Sequence, residues 1–173
     1  VEHGIDALKA VWHRGAVDAD GKTGDGAGIH VQIPVKFFYD QVKRTGHEPR
    51  VDELIAVGQV FLPRTDFGAQ ETCRTIVETE VLRMGYYIYG WRHVPVDVSC
   101  LGDKANATRP EIEQILISNA KGVDEETFER ELYVIRRRIE KCLERRQLAR
   151  LHQSEMTVRH RKRRPARHAA AHG

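Results

Sequence analysis

Ile5, Leu8, Val11 and Trp12 open the chain at the three- and four-residue spacing of a short amphipathic helix, which ends where His13-Arg14-Gly15 begins. Residues 13–26 are rich in Gly and Asp, a composition that permits unusual backbone angles and close approach of the main chain to a ligand. From Ala27 to Ile33 the apolar Ile29, Val31 and Ile33 alternate with His30 and Gln32, the two-residue period of a half-buried strand. Pro34 ends that strand and suits the first turn of a helix over Val35 to Arg44.

The aliphatic run Leu54 to Leu62 predicts a buried strand closed by Pro63. Ile76, Val77, Glu80, Val81 and Met84 fall at helical spacing within Glu71 to Met84, with Gly85 as the stop. Tyr86 to Val94 and Glu111 to Ser118 read as further strands. Asp124-Glu125-Glu126 places acidic groups where a helix dipole favours them, and Phe128, Leu132, Ile135, Ile139 and Leu143 then form one apolar stripe. Beyond Arg145 the stripe fades into a basic cluster, Arg159 to Arg167, and disorder is expected there. Strands grouped between helices predict an α+β layered sandwich over residues 1–143, followed by a basic tail at 144–173.

Charge sharpens that division. Residues 144–173 hold nine Lys or Arg against two Glu, net +7, which leaves −4 for residues 1–143 out of the total of +3. The tail has no aromatic residue to stack on bases, so weak, salt-sensitive association with polyanions is the most its charge implies. With 173 residues, 40% of them hydrophobic, one core is affordable, and no apolar run approaches the roughly 20 residues of a membrane helix. Val1-Glu2-His3-Gly4 has neither an initiator methionine nor a signal-peptide pattern. Cys73, Cys100 and Cys142 are odd in number and widely spaced, which fits a reducing cytoplasm better than a disulfide framework. The nine histidines show no ligand spacing, and no structural metal is expected.

The motifs point further. Leu8, then His13-Arg14-Gly15-Ala16 and Asp18, resembles the Arg-Gly turn after the first helix of class II amidotransferases. The extension Asp20-x-x-Thr23-Gly24-Asp25-Gly26-Ala27-Gly28-Ile29, with Gln32-Ile33-Pro34 and Phe37-Phe38, resembles the version found in glutamate synthase large subunits. Val57-Gly58-x-Val60-Phe61-Leu62-Pro63, Gly90-Trp91-Arg92-x-Val94-Pro95-Val96-Asp97, Pro110-x-Ile112-Glu113-Gln114 and Phe128 to Glu140 continue the likeness in order. The resemblance, over residues 1 to about 143, implies a partial four-layer α-β-β-α sandwich of the N-terminal nucleophile type and release of ammonia from glutamine. In the full-length enzyme it implies that the ammonia converts 2-oxoglutarate to glutamate, with FMN and an iron–sulfur cluster.

Chemistry in that family requires an N-terminal cysteine whose thiolate attacks the carboxamide, its own α-amine acting as base and an oxyanion hole receiving the developing charge. Residue one here is Val1, so the nucleophile would lie upstream, and these residues alone are expected to be inactive. The abrupt change of composition near Arg145 is what a truncation joined to a shifted reading frame or a fusion scar would produce. An interaction module, docking on synthase subunits or on polyanions, is the rival reading.

Candidate substrate-pocket residues are Arg14, Gly15, Asp25 and Gly26. The resemblance sets Arg14 beside the nucleophile, where a guanidinium suits a carboxylate, though it equally orders the Gly-rich turn. Asp25 either orients the loop at the site or accepts backbone N–H groups, and the turn role is the simpler account. No Gly-Lys-Ser/Thr ending is present and the loop leads toward a strand, which argues against nucleotide phosphate binding. Trp91, Arg92 and His93 read as a buried indole with solvated neighbours.

Overall fold

The computed structural model describes residues 2–11, 15–29, 31–50 and 52–162, with the backbone alone described over 148–162. In chain order the elements are α1 (Glu2–Ala10), α2 (Val35–Arg44), β1 (Ile55–Leu62), α3 (Phe67–Arg83), β2 (Tyr87–His93), α4 (Asp103–Thr108), β3 (Glu111–Ser118) and α5 (Glu125–Lys162). The strands form one antiparallel sheet in the order β1-β3-β2. The last strand is therefore the central one, hydrogen-bonded along both edges.

Alternation along β3 divides the core. Ile115 and Ile117 point to the face covered by α3 and α5, joining Ala56, Val77, Val81, Tyr86, Phe128 and Ile135. Leu116, between them, points to the opposite face and packs with Phe38 and Val42 of α2 and with Tyr89. Two helical layers thus sandwich one sheet, and both aliphatic faces of β3 are withdrawn from water.

The helix ends follow local chemistry. Asp66 caps α3 by accepting from the Ala69 amide at 2.8 Å, and Asp124 caps α5 by accepting from Thr127 at 3.0 Å. Gly85, at φ 79°, lets the chain reverse after α3, a conformation costly for residues with a side chain. On α5 the positions Phe128, Leu132, Ile135 and Ile139 all meet the core, as their spacing predicts.

Three features differ from the sequence reading. Residues 27–29 and 31–34 are not a strand: Ile29, Val31 and Ile33 are exposed, and no described strand pairs with them. Alternation makes a segment compatible with a strand, but a ladder also needs a neighbour to take its N–H and C=O groups. The six-residue α4 lacks an apolar period and left no signal. Finally, α5 does not stop near Leu143 but is helical to Lys162, and residues 163–173 of the basic tail lie outside the described residues. Arg and Glu are good helix formers, and propagation from an established helix costs little.

Candidate functional site

The Gly- and Asp-rich segment forms a short hairpin. Val17 and Gly24 make an antiparallel bridge. Asp18 N–H donates to the Thr23 carbonyl at 2.7 Å and Asp25 N–H to the Ala16 carbonyl at 3.2 Å. Gly21, at φ 70°, provides the left-handed residue that closes the tip.

The carboxylates hold it in shape. Asp20 accepts from the Thr23 hydroxyl at 2.5 Å and from the amides of Thr23 at 2.7 Å and Lys22 at 3.0 Å. Those bonds, the Thr23 hydroxyl foremost, hold the Asp20 carboxyl down to about 2. Asp25 Oδ2 accepts from the Ala16 amide at 2.9 Å across the base of the hairpin. Asp18 reaches 86 residues along the chain to Lys104 on α4, Nζ to Oδ2 2.7 Å.

Gly102, just before α4, completes the anchor. A Cβ there would stand 2.2 Å from Thr23 Oγ1 and 2.6 Å from the Thr23 amide nitrogen. The hairpin and the start of α4 therefore touch at a distance only glycine permits. At the foot of the hairpin Gly26 and Gly28 face open space, with nothing within 4 Å of where a Cβ would sit.

Of the four candidate residues, Gly15, Asp25 and Gly26 lie together at this foot, and Arg14 lies outside the described residues. Asp25 accepts the Ala16 amide across the base of the turn. Trp91 packs against the core and donates its indole N–H to Glu78 at 2.7 Å. Arg92 stands over the Phe37 ring and bonds Gln114, and His93 Nδ1 lies 3.4 Å from Glu113, so none of the three faces the hairpin's glycines. Cys73 and Cys142 sit on α3 and α5, and the exposed Cys100 thiol donates to the Asp97 carbonyl at 3.4 Å. Sequence reasoning missed Gly102 and Lys104 as partners of the hairpin. The Asp20-x-x-Thr23 spacing did announce the turn, but no local signal names a partner so many residues away.

Glycine-rich hairpin, capped sheet and motif order together define the class: the chain belongs to the class II glutamine amidotransferases, whose family model matches residues 1–159. Within that class it is 69% identical over 143 residues to the large chain of the NADPH glutamate synthase of Azospirillum brasilense. It is 36% identical over 142 residues to the chloroplastic ferredoxin-dependent glutamate synthase of Spinacia oleracea, and 36% over 145 to the NADPH enzyme's large chain of Bacillus subtilis. These matches take in 81–83% of this chain but only 9% of each relative's length.

Proposed function

We propose that these residues are part of the glutaminase domain of a glutamate synthase, in which the segment from Arg14 to Gly28 forms one wall of the glutamine pocket. The observation that carries this is a hairpin whose polar groups are engaged by Asp20 and Asp25 from within and tied by Asp18 to Lys104 of α4, while Gly26 and Gly28 at its foot stand open. Main chain that is both fixed and unobstructed suits close approach by an amide substrate. In this reading Arg14 offers its guanidinium to the substrate carboxylate, Gly15 and Gly26 admit the ligand, and Asp25 fixes the turn.

The reaction of the family then supplies the chemistry: a thiolate attacks the glutamine carboxamide, ammonia leaves, and water hydrolyses the thioester to glutamate. In the complete domain we place this sheet as one of two in a four-layer sandwich. The FMN and iron–sulfur cluster of a full-length synthase belong, in this proposal, to its other parts. Among the described residues no cluster of three or more His, Cys, Asp or Glu is arranged to hold a metal.

Tested by themselves, these 173 residues are expected to show no glutaminase turnover, because Cys73, Cys100 and Cys142 are internal residues whose own nitrogens are peptide amides and not the free α-amine that serves the family's nucleophile as base. Turnover that a glutamine-like alkylating agent abolishes would overturn this. In a complete synthase carrying these residues, Arg14→Gln should raise the KM for glutamine roughly 10- to 100-fold, the scale of a lost charge-assisted hydrogen bond. Glutamate synthesis from added ammonia should be unchanged, and an equal loss with ammonia would reject the pocket role.

A further inference from the structure

The β1–β3 ladder ends in a mirror-like sequence. Leu62 pairs with Glu111. Past that pair one segment runs Pro63-Arg64-Thr65 toward α3, and the other arrives from the end of α4 as Thr108-Arg109-Pro110. Proline has no N–H to donate, so Pro63 and Pro110, each next to the last ladder pair, end the pairing and the chains part. The gap is a cleft of about 340 Å³, lined by both arginines and both threonines, with Phe61 on one side.

Two guanidinium groups that line one cleft repel each other unless a carboxylate or another anion compensates them. Here the neighbouring carboxylates are engaged elsewhere. Asp66 Oδ1 caps α3, Glu111 faces His93 at 3.5 Å, and Glu71 and Glu113 both bind Arg74. Among the described residues neither Arg64 nor Arg109 is in an ion pair, and Arg109 bonds only the neutral amide oxygen of Asn106, Nε to Oδ1 2.8 Å.

The surroundings are built rather than loose. The buried Gln70 donates to the Pro63 carbonyl at 2.8 Å and the Arg64 carbonyl at 3.4 Å, fixing one lip of the cleft. Asn106 orients the guanidinium on the other lip. We propose that this cleft binds a small dianionic oxyanion, phosphate or dicarboxylate, between the Arg64 and Arg109 guanidinium groups, a site separate from the glutamine pocket. Two planar forks and the Thr65 hydroxyl suit the acceptors of such an anion, while the Thr108 hydroxyl donates to the Lys104 carbonyl at 3.2 Å.

The test is titration of the full 173-residue chain at low, constant ionic strength with inorganic phosphate, with succinate, and with chloride as control, following backbone amide resonances. The expected result is saturable shifts at Arg64, Thr65, Thr108 and Arg109 with phosphate or succinate but not chloride; which of the two binds more tightly distinguishes the sources. Arg64→Gln, which removes a side chain with no partner among the described residues and so leaves the fold intact, should weaken binding by about tenfold or more. Arg109→Gln should do likewise where near-ultraviolet dichroism shows the native fold. Shifts that fail to saturate, that chloride reproduces, that centre on the basic residues 145–162, or that survive Arg64→Gln would each overturn the proposal.

Discussion

Arg74 and Glu113 make the most demanding polar contact in the molecule. Glu113 is 2% exposed, on the α3 face of the central strand, and both its oxygens receive the guanidinium, at 2.8 and 2.6 Å. Removing one member leaves the other buried and unpaired, so Arg74→Met should cost about 3 kcal/mol, read from urea midpoints. Arg74, first through hydrogen bonding and then through its charge, holds the Glu113 carboxyl below its ordinary range. Glu53 is also lowered: burial alone would push it up, but the Ser118 and Tyr89 hydroxyls and the Arg50 amide outweigh that. Both carboxyls titrate lower folded than unfolded, so their stabilisation is full above the ordinary value of 4.5 and is lost as pH falls below it. Unfolding free energy should therefore drop between about pH 5 and pH 3, and Glu53→Gln should flatten that slope. At the alkaline end, burial and then the bond to Glu53 push Tyr89 up to about 12, so absorbance titration should find it ionising well after an exposed tyrosine. Gly102→Ala puts a Cβ into the Thr23 backbone and should cost about 1–3 kcal/mol, with faster amide exchange over residues 16–25. Unchanged protection there would mean that α4 does not anchor the hairpin.

Elements owe their boundaries to local signals and their faces to one another. On β2, Ile88 and Trp91 both meet the α3 and α5 core although an odd number of positions separates them, which a regular strand forbids. A bulge between Ile88 and Gly90 inserts the extra residue and sends Tyr89 to the α2 face. Gly90 has φ 142°, and a Cβ there would lie 3.0 Å from the Thr45 methyl group. Gly90→Val should therefore destabilise by about 1–3 kcal/mol and disturb Tyr89 and Trp91 together, visible as a change in indole fluorescence. The helices and strands themselves, α4 apart, were legible because their apolar patterns run for seven residues or more. Val35–Arg44 and Glu111–Ser118 fall where the pattern put them. Residues 27–29 and 31–33 carried the same kind of signal and are not a strand, since pairing depends on a neighbour that the period does not name.

For the whole molecule the outer edge of β1 is the exposed flank. Its eight residues, Ile55 to Leu62, contain no charge and no proline, and a groove of about 710 Å³ runs beside them between α3 and α5. Such an edge pairs readily with another copy. These residues alone should self-associate as concentration rises, and Gln59→Lys, on an exposed position of that edge, should suppress the heavier species in sedimentation velocity. What the sequence by itself determined was the family, the secondary structure of most of the chain and the two faces of β3, because motif order, apolar period and strand alternation are properties of neighbouring residues. Tertiary structure alone decided that β3 runs between β1 and β2, that Gly102 and Lys104 carry the hairpin, and that Arg64 and Arg109 line one cleft. Each of those facts is a meeting of segments distant in the chain, and contact across such distances is settled only when the sheet closes and its side chains compete for the same space and the same partners.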